Sequence, residues 1–269
     1  MSSETIPGTQ NELPGRSPVL RDKIPLGRGG IVTCVTLFHS HAEWIGVDIE
    51  TGSFLRNSRY LEFAQLPLNR LPGKKKKKER PDDAEADQAL QPSSPVKKFT
   101  MLQLNGPFRP NPIDPSRPEA IESVETVTML GQLPYRKAKK LLQAAAAKGQ
   151  RSGKILGNFG PSVAFMDLEA LEPSVALIDI TKSQMEIALS EEKGVVCIFE
   201  SGETVQMLPL ADHKCRKLIM AADKATLSKK ELSKLLGGSV THLLISLYQV
   251  QNGHIPKVVM SVLAPKRKR

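Results

Sequence analysis

Aromatic residues are scarce in this chain: eight Phe, three Tyr and one Trp make up 4% of 269 residues. Most of these rings must serve hydrophobic cores, which leaves few to stack against bases. Cysteine is scarcer still. Cys34, Cys197 and Cys215 stand far apart among apolar or mixed neighbours. That pattern fits buried thiols in a reducing cytoplasm better than a disulfide framework or a zinc site. No apolar run approaches the roughly 20 residues that span a bilayer. Met1–Gly15 also lacks the basic start and apolar centre of a secretion signal. These absences describe a soluble, cytoplasmic protein with no membrane partner.

Catalytic signatures are missing as well. There is no G-x-S-x-G elbow, no phosphate-cradling glycine loop between a strand and a helix, and no cysteine in a catalytic basic-pocket motif. Gly27–Arg28–Gly29–Gly30 precedes a strand and serves as a lead-in. Asp48 and Glu50 form a carboxylate pair, but they fall in a hairpin turn, where acids are ordinarily solvated. His39, His41 and Glu43 alternate in Phe38–Trp44 with the chemistry of metal ligands. The other histidines, His213, His242 and His254, are distant, and a site needs three or four protein ligands. A polar strand rim is the better account. The sequence thus implies no enzyme, no metal and no cofactor.

The net charge of +10 suggests a polyanion partner, yet it is unevenly spread. Lys74–Lys78 supplies five of these charges and Lys266–Arg269 four, which leaves the body close to neutral. Blocks of like charge repel and rarely fold, so both tracts read as flexible.

The strongest positive signals are two apolar hairpins. Ile31–Phe38, Glu43–Ile49 and Phe54–Arg56 surround a Glu50–Thr51–Gly52 turn, and His242–Val250 and Ile255–Leu263 flank Asn252–Gly253. Runs of β-branched and apolar residues joined across such turns are hairpin signatures. Between them, Val96–Leu104 and Val124–Leu130 are strand candidates. Val175–Ile180 is expected to pair with Gln184–Leu189, and Val195–Phe199 with Thr204–Leu208. Pro134–Lys148 predicts a helix, with Ala138, Leu141, Leu142 and Ala145 on one stripe. Asp212–Ala222 is a second helix. Ser228–Leu236 is a third, with Ser228 and Glu231 as a capping box and Gly237 as its stop. Met1–Gly30 is proline-rich and aperiodic, and Pro72–Pro95 is a low-complexity insertion; neither can bury apolar surface, so both are expected to be disordered.

The order of turn residues resembles a bacterial domain family described as dual OB-containing. Gly46, Asp48, Phe54 and Arg56 match its opening, Lys154–Phe159 (KILGNF) its segment after a central helix, and Leu243–Tyr248 with Asn252–Gly253 its close. The resemblance covers roughly residues 31–263. It implies a mainly β (α+β) fold of two small OB-like antiparallel β-barrels with a few helices: a 1–30 arm, a first barrel at 31–133 carrying the 72–95 insertion, a linking helix at 134–149, a second barrel at 150–263 and a 264–269 basic tail. It further implies binding of nucleic acid.

OB barrels hold single strands by stacking bases on exposed aromatics in a basic groove. Aromatic-basic neighbours are therefore the candidate contacts: Trp44, Phe54 with Arg56, Arg59 with Tyr60, Tyr135 with Arg136 and Lys140, and Lys154 with Phe159. Each ring can equally be a core residue beside a surface charge. The expectation is a non-catalytic protein that binds single-stranded DNA or RNA. The alternative is a protein–protein adaptor or the accessory subunit of a nucleic-acid-processing system.

Overall fold

The computed structural model describes residues 30–40, 43–57, 68–70, 96–106, 124, 126–151, 162–164, 174–201, 203–247 and 254–266. Residues 1–29 of the N-terminal arm, the 72–95 insertion, Lys154–Phe159 and the Asn252–Gly253 turn lie outside the described residues. The fold is mainly β, with three helices among the described residues.

The first sheet contains β1 (Ile31–His39), β2 (Trp44–Asp48), β3 (Phe54–Asn57), β4 (Leu68–Arg70), β5 (Thr100–Asn105) and β6 (Thr126–Gln132), in the order β3-β2-β1-β5-β6-β4. Its pairs are antiparallel except β4 with β6. Helix α1 (Tyr135–Arg151) follows, then β7 (Ser162–Ala164) and β8 (Val175–Asp179). Next come β9 (Met185–Ser190), β10 (Gly194–Ser201), β11 (Thr204–Pro209), α2 (His213–Ala221), β12 (Thr226–Ser228), α3 (Lys229–Leu236), β13 (His242–Leu247) and β14 (His254–Leu263). The second sheet runs β11-β10-β9-β12 and the third β7-β14-β13-β8. Among the described residues no ladder closes on itself. A parallel bridge from Leu210 to Val259 joins the second sheet to the third at one point.

The expected hairpins β1/β2/β3 and β10/β11 form, and β13 pairs with β14. The expected pairing of β8 with β9 does not occur. β8 pairs with β13, and β9 with β10 and β12. The five residues between β8 and β9 redirect the chain. Asp179 Oδ1 accepts the Thr181 N–H at 2.8 Å, and the Lys229 ammonium donates to the carbonyls of Ile180, Thr181 and Ser183. An ammonium surrounded by three carbonyls fixes a bend that a two-strand hairpin does not have.

The third sheet is the central layer. One face, with Val175, Leu177, Leu244 and Met260, packs on Val35, Leu37, Ile45 and Val47 of the first sheet and on Leu142, Ala145 and Ala146 of α1. The other face, with Ile178, Leu243, Ile245, Val259 and Val262, meets Ile187, Cys197, Phe199 and Leu208 of the second sheet. Cys215 and Ile219 of α2 and Leu232 and Leu236 of α3 complete that core. Burial on both faces explains why β13 reads as an almost unbroken apolar run rather than an alternation. A third cluster, with Val32, Cys34, Trp44, Leu55, Leu102 and Leu104, lies on the other face of the first sheet.

Candidate nucleic-acid interface

The opening hairpin is built around Asp48. This buried carboxylate accepts the Glu50 N–H at 3.0 Å and the Thr51 hydroxyl at 2.5 Å, while Gly52 takes φ +67° to donate back to the Asp48 carbonyl. It is a turn-forming side chain and not one of a solvated pair. Two residues before it, Gly46 makes room for a ring. A Cβ at that position would stand 2.4 Å from the Trp44 indole. The indole lies across the glycine, fully buried, and its Nε1–H donates to Thr36 Oγ1 at 3.1 Å.

Trp44 is therefore a core residue and not a stacking platform. Phe54 is also in the core, packed where the first sheet meets the third. Arg56 is buried too. Its guanidinium pairs with Glu43 and donates to Ser174 Oγ at 2.9 Å and Ser246 Oγ at 3.1 Å. The arginine thus bolts the first sheet to the third, and Glu43, weighed above as a metal ligand, is committed to it. In a core, an aromatic and an arginine two residues apart share one face of a strand without either reaching solvent. Arg59, Tyr60, Lys154, Phe159 and His41 lie outside the described residues.

The candidates on α1 fare differently. Tyr135 is half-buried at the start of the helix, and Arg136 and Lys140 are exposed, with Lys137 beside them. Ala138, Leu142, Ala145 and Ala146 bury the opposite stripe against β8 and its neighbours, so the cations are turned outward. No acidic residue stands in the first turn.

A tight turn connects this helix start to a second basic helix. The sequence suggests a strand from Val96, but β5 begins only at Thr100, because Lys97–Phe99 turns sharply. Phe99 has φ 65°, a conformation that bulky residues rarely adopt. Its neighbours hold it there: its N–H donates to the Thr36 carbonyl at 2.7 Å, and its carbonyl accepts the Leu133 N–H at 2.8 Å, just ahead of α1. The adjoining Lys98 reaches the other way. Its ammonium pairs with Asp212, the N-cap of α2, and donates to the Val262 carbonyl at 3.2 Å. Burial alone would raise the Asp212 carboxyl. The Lys98 ammonium and the N–H groups of Val262 and Cys215 outweigh it and hold the carboxyl below its usual range.

Helix α2 was legible as a helix, but its surface was missed as a site. Cys215 and Ile219 face the core, and His213, Lys214, Arg216, Lys217 and Met220 face solvent. The helix contains no acid. The available signal was the H-K-C-R-K run, in which one apolar residue leaves every flanking cation on the outer side. Burial pushes the thiols of Cys34, Cys197 and Cys215 up, which makes them poor nucleophiles. Among the described residues, no helix is long and apolar enough to cross a membrane. Compared with family models, curated proteins and solved structures, the chain shows no match.

Proposed function

We propose that this protein binds nucleic acid without acting on it, preferring single-stranded DNA or RNA, and that its β units are OB-like. The reading rests on one observation above the others: α1 turns Arg136, Lys137 and Lys140 outward beside half-buried Tyr135, with no acid in the first turn to neutralise them. Cations spaced along one helix face suit a phosphate backbone, and an aromatic edge beside them suits a base. The lysine tracts at Lys74–Lys78 and Lys266–Arg269 would add salt-sensitive, sequence-independent attraction.

Fluorescence anisotropy with labelled single-stranded DNA, single-stranded RNA and duplex DNA tests this. Saturable binding is expected, tighter to single strands and steeply weakened by salt. Tyr135→Ala, if its melting temperature matches the parent, should lose roughly 1–3 kcal/mol, the worth of one stacked base. No binding to any of the three at low salt refutes the proposal.

A second reading is favoured by a different surface. Val205 and Met207, 68% and 45% exposed, stand on β11, the edge strand of the second sheet. An edge strand with apolar side chains outward can accept a partner's strand, which would make the protein an adaptor.

A further inference from the structure

The described surface carries a second basic helix that the sequence does not single out. On α2, Lys214, Arg216 and Lys217 are all exposed; Lys214 and Lys217, three residues apart, are neighbours and Arg216 lies further round the outer side, with His213 at the start and Met220 at the far end. Like charges three or four residues apart destabilise a helix, and α2 has only nine residues to absorb that repulsion. The neighbouring carboxylate brings no relief, because Asp212 is buried and committed to Lys98, the Cys215 N–H and the Val262 N–H. The helix N-terminus is thus already capped, and only the outward cations lack a counter-charge on this helix.

Their placement relative to α1 adds direction. The Lys97–Phe99 turn is bonded on one side to Leu133, two residues before α1, and on the other to the cap of α2. Exposed Lys97 stands on the turn itself. The strained Phe99 backbone, held by hydrogen bonds at both its N–H and its carbonyl, makes this joint a fixed one.

We infer that α2, through Lys214, Arg216 and Lys217, carries the phosphate backbone of a bound single strand, which runs past Lys97 to the basic face of α1. This rests on the nucleic-acid reading above and adds which surface of the folded body makes the contact. The charge complementarity selects a polyanion, and exposed Met220 offers a thioether that adapts to a sugar or base edge.

The test uses the full chain with fluorescein-labelled oligothymidylate and oligouridylate across a salt series. The triple variant Lys214→Glu, Arg216→Glu, Lys217→Glu should bind at least about tenfold more weakly, and its log K against log salt should flatten by about two, three contacts at about 0.7 each. The triple Gln variant should fall between it and the parent. It also guards against a reversal that unfolds the helix, with thiol reactivity of the buried Cys215 on α2 as the check on folding. A charge-matched control, Lys182→Glu, Lys193→Glu, Lys234→Glu, alters exposed lysines elsewhere and should lose less. Equal losses in the control and the α2 variant, or a parent slope in the α2 variant, overturn the α2 assignment while nucleic-acid binding stands. Failure of the parent to bind either oligonucleotide overturns both. Stronger capture by phosphatidylserine vesicles than by the oligonucleotides overturns the assignment in favour of a membrane surface.

Discussion

At the scale of single residues, the sequence carries instructions that only packing decodes. Gly46 and Trp44 are one unit, because the indole occupies the space of the missing side chain. Gly46→Ala should therefore destabilise the protein by about 1–3 kcal/mol through overpacking, read as a lower melting temperature. Gly52→Ala meets no neighbour but keeps φ +67°, so its smaller loss, about 1 kcal/mol, comes from backbone strain alone. His242 gives a pH dependence. Its Nδ1 lies 3.0 Å from Thr241 Oγ1, and its buried Nε2 has no partner among the described residues. Burial lowers its pKa most and the nearby Lys139 lowers it further, while Asp179 opposes both. The unfolded chain then takes up a proton near pH 6.5 that the folded chain refuses until lower pH. Stability should be full above about 6.5 and decline as pH falls below it. His242→Gln should flatten that decline in urea titrations; a parallel decline in the variant would assign it to other groups.

At the scale of elements, the caps carried the most legible information. Ser228 and Glu231 form the capping box read from the sequence, and Gly237 closes α3 in the left-handed conformation. Lys224 and Ser228 together hold the exposed Glu231 carboxyl down at about 2. Ser228→Ala should cost about 1 kcal/mol in chemical denaturation. The cap of α2 is worth more, since Asp212 is buried and also anchors Val262. Lys98→Ala leaves that carboxylate buried without its cation and should cost about 3–5 kcal/mol; Lys98→Ala with Asp212→Asn should recover part of it. Hairpins and helices were visible because period, turn residues and caps are local. The pairing of β8 with β13 was not, because nothing within Val175–Asp179 names a partner some seventy positions onward. For the same reason the Phe54–Leu55–Arg56 segment suggested a binding rim. Its actual role depends on Glu43, Ser174 and Ser246, which no local pattern brings together. The apolar stripe of α1 was read from helical spacing, which leaves its cations to the opposite side. The basic face of α2 needed the burial of Cys215 and Ile219 to show which side was outward.

At the scale of the whole molecule, the central sheet makes the halves interdependent. The core between the first and third sheets draws side chains from β1, β2, α1, β8, β13 and β14. Unfolding should then be a single transition. Trp44 fluorescence, reporting the first sheet, and thiol reactivity at Cys197 and Cys215, reporting the second, should give one denaturation midpoint in a Cys34→Ser background; separated midpoints would show halves that fold alone. The Arg56 tether has a further consequence, for the order of events during synthesis. Its hydroxyl partners lie 118 and 190 positions later in the chain. When the first sheet leaves the ribosome, the strands that cover its inner face have not been made. Val35, Leu37, Ile45 and Val47 stay open to water, and Arg56 and Glu43 wait beside them, until β13 and β14 emerge. A nascent chain in that condition exposes an apolar sheet to its neighbours on the polysome, so its yield should depend more on chaperone supply than on the stability of the finished fold.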